Sequence, residues 1–297
     1  MHKILITGAN GFVGRHFVNF FSEKGKSIVT LSKEDGTHID LNNQEEVHAA
    51  IQRLNPDSII HLAAIASVTE YMPIEYYQVN VIGTENILLG LKGLGKKRIL
   101  FFSSAAIYGD QNTTILDESM TPQPVSHYGL SKLCAEHLMT AAMKNHDITI
   151  LRPFNIIGSD QKDYFIVPKL IKHFAHKAPV IELGNIKPER DYINLATVCR
   201  VVEKIMEIKQ TYGETINICS GVGTSIVSMI AHLEQISSFS PEISVQKNLV
   251  RENEIWRLVG NTQKLKKFVP DIKLDRPILE TLQELYHEVI QNSGKVE

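Results

Sequence analysis

Apolar and polar positions in the first half of the chain alternate between two patterns. Lys3 to Thr7 is a short, nearly continuous apolar run ending on glycine, as expected of a strand buried on both faces. Phe12 to Lys24 places Val13, Phe17, Val18, Phe20 and Phe21 on a broad helical face. The pattern then predicts a strand over Ser27–Leu31, a helix over Gln44–Leu54, a strand over Asp57–Ala63 and a long helix from Pro73 to about Leu94. Arg98–Ser103 follows as a strand, 126–144 as a helix and Asp147–Arg152 as a strand. Strands alternating with helices of this length predict parallel βαβ units, an α/β doubly wound sheet. The second half is less regular, with helices expected near 167–176, 195–208, 224–236 and 277–291. The pattern divides the chain into a first region, 1–158, and a smaller embedded region, 159–297, of which about 177–218 is expected to return to the first.

Composition narrows the function. Of 297 residues, 31 are Lys or Arg and 33 are Asp or Glu, so the net charge is −2 and no electrostatic pull toward nucleic acid or anionic lipid is expected. No apolar run is long enough to span a membrane, and the first residues do not read as a secretory signal. Cys134, Cys199 and Cys219 are widely spaced and lack metal-ligand spacing. They read as buried thiols of a metal-free protein in a reducing, cytoplasmic setting.

The first strand runs into Gly8-Ala9-Asn10-Gly11-Phe12-Val13-Gly14. Glycines there allow a tight turn and close backbone approach to a pyrophosphate, while the following helix offers free N–H groups to the anion. Between a buried strand and a helix, this is the start of a Rossmann-type dinucleotide-binding sheet. The second strand ends in Ser32-Lys33, a hydroxyl and a cation suited to a 2′-phosphate. Glu34 and Asp35 pull the other way, so NADP(H) is preferred and NAD(H) stays open. Asp40 and Leu41 are candidates for the adenine edge, with a turn cap as the alternative for Asp40.

Tyr128 and Lys132 stand at i and i+4, on one helix face. A nearby ammonium is expected to lower the tyrosine pKa and let the phenol exchange a proton with a sugar oxygen. Ser103 and Ser104 lie at the carboxyl end of a strand, where open α/β sheets bind ligands. The Ser104 hydroxyl is placed to hold the reacting oxygen, whereas local capping is the plainer role for either serine.

With TGANGFVG (7–14), HLAA (61–64), NVIGTEN (80–86), FFSSAAIYG (101–109), YGLSK (128–132) and LRPFN (151–155) in order, the chain resembles the extended short-chain dehydrogenase/reductase family of nucleotide-sugar epimerases, dehydratases and reductases. The resemblance covers essentially the whole chain. It implies Ser104, Tyr128 and Lys132 as the catalytic triad, with Leu62, Ala63 and Ala64 lining the cofactor crevice, Asn80 supporting it and Pro153 near the nicotinamide. His127 departs from the proline usual before the tyrosine. The family's sugar 4,6-dehydratases carry an acid after the catalytic serine or threonine, but this chain has Ala105 and Ala106. Its epimerase-reductases use a cysteine and a histidine, and 158–162 offers no histidine. Hydride transfer at a single carbon remains.

Segments 152–172, 182–202 and 216–221 resemble the reductases of GDP-4-keto-6-deoxyhexoses, which form GDP-D-rhamnose or GDP-6-deoxytalose. That resemblance implies a nucleotide-diphosphate sugar as substrate. Asn155, Arg190 and Arg251 would contact its diphosphate, Lys169 would face the nucleotide, and Ser104 would meet the sugar. Arg251 is the weaker candidate because Glu252 replaces the proline usual after it. The resemblance further implies a homodimer through a four-helix interface. The alternatives are a nucleotide-sugar 4-epimerase that retains NAD tightly and a non-catalytic dinucleotide-sensing protein.

Overall fold

The computed structural model describes residues 2–66, 71–111, 113–250, 254–274 and 277–293. The first half runs β1 (Lys3–Thr7), α1 (Phe12–Glu23), β2 (Ser27–Thr30), α2 (Gln44–Leu54), β3 (Ser58–His61), α3 (Pro73–Tyr77), α4 (Gly83–Gly90), β4 (Arg98–Phe102), α5 (His127–Ala142) and β5 (Asp147–Pro153). The second half continues with β6 (Asn155–Ile157), α6 (Ile166–Ala175), β7 (Val180–Leu183), β8 (Glu189–Asn194), α7 (Leu195–Glu207), β9 (Thr215–Ile218), β10 (Gly223–Ser225), α8 (Ile226–Ser237), β11 (Glu242–Val245), β12 (Arg257–Leu258), α9 (Gln263–Phe268) and α10 (Ile278–Ser293).

Six strands form one parallel sheet in the order β2-β1-β3-β4-β5-β9. The side-chain period of two divides its apolar residues between two cores. Ile4, Ile6, Ile60, Leu100, Phe102 and Leu151 pack on one face against Phe17 and Phe21 of α1 and Val198, Val201 and Val202 of α7. Leu5, Ile59, Ile99, Phe101, Ile148 and Ile150 pack on the other against α2, α4 and α5. Continuous apolar strands therefore follow from helices covering both faces. The chain crosses to opposite sides of β1 on leaving it for β2 and on returning through β3. This switch opens a crevice at the carboxyl ends of β1 and β3, the place such sheets bind ligands.

The helix expected over Pro73 to about Leu94 runs without a break from Pro73 to Gly90 but is not α-helical throughout. Gln78–Ile82 forms a π-helical turn between α3 and α4, and α4 ends at Gly90. A π-turn inserts extra backbone, which apolar periodicity does not register.

The return to the large sheet within 177–218 is made by α7 and β9. β7 and β8 lie elsewhere: β7 pairs with β11, while β8 pairs with β6, β10 and β12. Residues Leu265, Val269, Ile272 and Leu274 also join the α1/α7 core. The smaller lobe has its own core, with Val167, Leu170, Ile171 and Phe174 of α6 packed on Met229 and Leu233 of α8 and Leu282 and Tyr286 of α10.

Candidate active site

The glycine turn sits in the β1/β3 crevice. Gly8 adopts φ +70, and a Cβ there would stand 2.8 Å from both Cα and N of Ala63. A Cβ on Gly14 would come within 2.1 Å of the Gly8 carbonyl oxygen. Backbone contact this close tolerates no side chain at either position. Gly11 caps α1 without a side-chain hydrogen bond, so the helix presents its first N–H groups to the crevice. The Ser103 hydroxyl, at the end of β4, is buried without a hydrogen-bond partner. Open amides, glycine-only approach and an orphaned hydroxyl at one strand edge fit a dinucleotide. Gly8 to Gly14 would hold its pyrophosphate, with Leu62, Ala63 and Ala64 forming the opposite wall.

A buried relay locks that wall. The Ala63 N–H donates to Thr7 Oγ1 (3.2 Å), and Thr84 Oγ1 donates to the Asn80 carbonyl (2.6 Å). Between them, His61 lies 2.6 Å from Thr7 Oγ1 through Nδ1 and 3.0 Å from Thr84 Oγ1 through Nε2. The Thr84 proton is already committed, so Nε2–H donates to Thr84 and the Thr7 hydroxyl donates to Nδ1. Burial first, and then the Lys132 charge, pull the His61 pKa down to about 3, and the ring stays neutral. Asn80, buried in the π-turn, accepts from the Ile65 N–H (2.8 Å) and donates to Ser131 Oγ on α5 (2.9 Å). The π-turn thus ties the crevice wall to the helix carrying Tyr128.

Ser104, Tyr128 and Lys132 converge at the same edge. Ser104 follows β4 and accepts from the Ala106 N–H (3.1 Å), capping a short 3₁₀ turn while its side chain also hydrogen-bonds Tyr128. Tyr128 lies in the first turn of α5, which Ser126 caps through the Gly129 N–H (3.1 Å). Burial pushes the Tyr128 phenol above its ordinary pKa, and the Ser104 hydrogen bond pulls less strongly downward. The net shift is therefore opposite to the expected lowering. Burial of the phenol itself is the larger cause, and it acts on Lys132 as well: the lysine is 2% exposed, and burial draws its pKa down to about 7 against the opposing charge of Glu136. Its ammonium stands 4.4 Å from the centre of the Phe101 ring. A lysine only partly charged near neutrality exerts a reduced pull on its neighbour.

Other predicted site residues fall into two groups. Pro153 ends β5 and is buried beside this edge. Asn155, on β6, donates to the Asp191 carbonyl (3.0 Å) and so lies against β8 next to Arg190. Arg190 pairs with Glu254 at 2.9 Å, both partners being less than one-fifth exposed. Lys169, on α6, donates to the Glu182 carbonyl (2.7 Å). Arg251 lies outside the described residues. At the far end of the crevice Lys33 is exposed and pairs with Glu46 (2.9 Å), and Ser32 gives its carbonyl to Arg53 (2.6 Å). Asp40 accepts from the Asn42 N–H (3.0 Å), a turn-capping arrangement, and Leu41 is buried against Gly83. His127 shares a hydrogen bond with the Tyr77 hydroxyl (3.0 Å).

Sequence reasoning missed Asp191, Glu254, Glu136 and the His61 relay. Asp191 is fully buried and accepts from Ser220 N–H (2.8 Å), Ser220 Oγ (2.6 Å), Gly221 N–H (2.8 Å) and Gly260 N–H (3.3 Å), stapling two loops to β8 beside Arg190. Burial still raises its pKa despite those bonds. A signal was present for Glu136, one helical turn after Lys132 and facing a strand whose only cation is Arg152. No local signal marked Glu254.

A parallel sheet with a glycine cradle at its switch point and a Ser-Tyr-Lys cluster at its carboxyl edge defines a dinucleotide-dependent oxidoreductase fold. Residues 4–219 match the model of the NAD dependent epimerase/dehydratase family, and the chain belongs to that family. It is 37% identical over 286 residues to the GDP-6-deoxy-D-talose 4-dehydrogenase of Aggregatibacter actinomycetemcomitans, covering 96% of this chain and 97% of that protein. It is 29% identical over 310 residues to the UDP-glucose 4-epimerase of Mycoplasma genitalium, covering 89% of this chain and 90% of the relative. Among solved structures, RMD from Pseudomonas aeruginosa complexed with NADPH superposes with a TM-score of 0.87 at 26% identity, covering 98% of this chain and all 100% of that one.

Proposed function

We propose that the protein moves hydride at C4 of a GDP-linked 6-deoxyhexose. In the reductive direction it converts the 4-ketone of GDP-4-keto-6-deoxymannose to GDP-6-deoxytalose or GDP-D-rhamnose, using NADP(H) in preference to NAD(H). The observation that carries this reading is the Ser104–Tyr128 hydrogen bond above buried Lys132, with Ala105 and Ala106 where an elimination would need an acid. The similarity to a GDP-6-deoxytalose 4-dehydrogenase supports the substrate class, since that activity is the same step run backwards.

A bound nicotinamide supplies the hydride. Ser104 holds the C4 oxygen, and Tyr128 delivers a proton to it as the alkoxide forms. The raised phenol pKa keeps Tyr128 protonated at neutral pH, the state reduction requires. Lys132, one helical turn along α5 from the phenol, would bind the cofactor ribose. Asn155, Arg190 and Lys169 grip the sugar nucleotide, with arginine suited to bidentate phosphate contact, and Arg251 is proposed to join them. That grip fixes which sugar face is offered, and positioning of this kind supplies much of the rate. Ser32 and Lys33 support the NADP(H) preference, with Lys33 exchanging Glu46 for the 2′-phosphate. The site works in the cytoplasm as a homodimer, which the exposed Ile74, Ile82 and Leu130 on the α3–α5 face support.

The test is NADPH oxidation with GDP-4-keto-6-deoxymannose, beside dTDP- and UDP-linked keto sugars and an NADH control. Turnover with the GDP sugar and NADPH is expected, and Tyr128→Phe is expected to cut it by ~10²–10⁴-fold. The second reading, a nucleotide-sugar 4-epimerase, is favoured by the Mycoplasma relative. Interconversion of ordinary sugar nucleotides by purified protein without added cofactor, and no keto-sugar reduction, would establish it instead.

A further inference from the structure

Three charged groups stand in a row under the active site. Lys132 and Glu136 are one helical turn apart on α5, and Arg152 reaches them from β5. They are 2%, 5% and 6% exposed. Arg152 binds Glu136 through two contacts, Nε to Oε1 at 3.0 Å and Nη2 to Oε2 at 2.8 Å. Its Nη1 donates to the Tyr108 hydroxyl (3.0 Å), which donates to Asn217 Oδ1 (2.7 Å). Each carboxylate oxygen is engaged by Arg152, and the guanidinium is also held by Tyr108.

An ion pair this deep loses most of its Coulomb gain to desolvation, and an apolar pair would hold helix to strand about as well. Its effect on Lys132 is different, because an apolar pair would leave the lysine with no counter-charge. We propose that the Glu136–Arg152 pair is a positioning device for the charge of Lys132. Glu136 keeps the lysine able to hold its proton in a sealed site. Arg152, bound to both carboxylate oxygens, limits how strongly that proton is held.

The groups facing Lys132 support this division. On α5 these are Tyr128 and Glu136. From α3 comes Tyr76, whose ring lies 6.5 Å from that of Tyr128. β3 contributes His61, whereas Arg152 of β5 reaches the lysine only through Glu136, with Tyr108 behind it. His61 is neutral throughout the working range because burial holds its pKa near about 3. Tyr108 is pushed up to about 12, chiefly by burial. Among these described groups, the only anion acting on Lys132 is Glu136, and the only neighbouring fixed cation is Arg152. Burial has drawn the lysine to about 7, with Glu136 opposing the fall.

This inference rests on the reading that Lys132 serves Tyr128, but its test needs no sugar substrate. Full-length protein carrying lysine labelled with ¹³C at Cε is titrated by NMR, with and without NADPH. The Lys132 resonance is assigned by its loss in Lys132→Met. Glu136→Gln removes the anion and leaves the Arg152 cation, so the Lys132 midpoint is expected to fall by about one pH unit. Arg152→Met frees the anion, so the midpoint is expected to rise by a similar amount. Tyr108→Phe changes no charge and is expected to lower Tm while leaving the midpoint in place. Two substitutions that both weaken the fold but move the lysine in opposite directions cannot be explained by packing alone. Midpoints that stay fixed, or move the same way in both variants, overturn the proposal. Should Arg152→Met fail to fold, an unchanged midpoint in Glu136→Gln overturns it by itself. Shifted midpoints in a protein that reduces no keto sugar would leave this inference standing and overturn the reading of the substrate.

Discussion

The two ligand-facing sides of the molecule are built from different materials. On the dinucleotide side, Gly8 and Gly14 bring backbone against backbone, and His61 is bonded through both ring nitrogens between two threonines. Gly14 and His61 are buried, and Gly8 is half-buried. On the proposed sugar-nucleotide side, Arg190 and Glu254 form a partly exposed pair, and Lys169 rests on a single carbonyl. Each of those contacts can be exchanged for a ligand oxygen at little cost, because a partly solvated ion pair is weak. The fixed side suits a cofactor that must be held in one pose for hydride transfer. The exchangeable side suits a substrate that enters and leaves on every turnover.

The largest effect is expected where the fixed side is touched. Gly14→Ala would put a methyl group 2.1 Å from the Gly8 carbonyl and 2.8 Å from the Ala9 Cα, so the turn must open. NADPH affinity, measured by titration calorimetry, is expected to fall by at least ~100-fold, or ~3 kcal/mol. Unchanged affinity would break the comparison at its strongest point.

Lys132→Met separates stability from activity on that same side. Lys132 has a pKa of about 7 in the fold, against an ordinary 10.5. Between those values the unfolded chain binds more protons, so stability rises with pH across that window and the buried cation weighs most at and below neutrality. Replacement by Met removes that cost, ~2–4 kcal/mol. The expected result at pH 7 is a Tm higher by several degrees together with lost turnover. A lower Tm would mean that the Phe101 contact and Glu136 hold the lysine more firmly than burial opposes it.

Much of the fixed side was legible in the residue pattern, and little of the exchangeable side was. Strand β1 and helix α2 fall where apolar periodicity places them, because each buries one continuous run against a sheet that is covered on both faces. Ser104, Tyr128 and Lys132 meet because a strand end and one helix face are local, periodic objects. The π-turn at Gln78–Ile82 escaped notice because it alters backbone count and leaves the apolar spacing intact. The expected downward pull of Lys132 on Tyr128 reversed because burial acts on both groups, and burial is a property of the whole fold. β7, β8, β10 and β12 went unseen because they are short, and β8 and β10 carry consecutive charged or polar residues that give no apolar strand pattern. Their partners lie far away in sequence, as Glu254 does from Arg190. A charge that is satisfied only by a distant loop looks, in the sequence alone, like any surface charge.

The smallest expected effect tests the exchangeable side directly. Glu254 holds Arg190 at 2.9 Å, and Glu254→Gln removes the charge while keeping a side chain of the same shape. Stability should change little, since Asp191 rather than Glu254 anchors β8 through the four hydrogen bonds it accepts. If Glu254 only occupies Arg190 Nη2 until a diphosphate arrives, Arg190 without that carboxylate should bind GDP more tightly, by roughly three- to ten-fold, about 1 kcal/mol. The gain should shrink as salt is raised, because the contact being exchanged is partly solvated. Weaker GDP binding in the variant would instead show that Glu254 itself touches the nucleotide. The exchangeable side would then be preorganised for its ligand, as the glycine turn is for the cofactor.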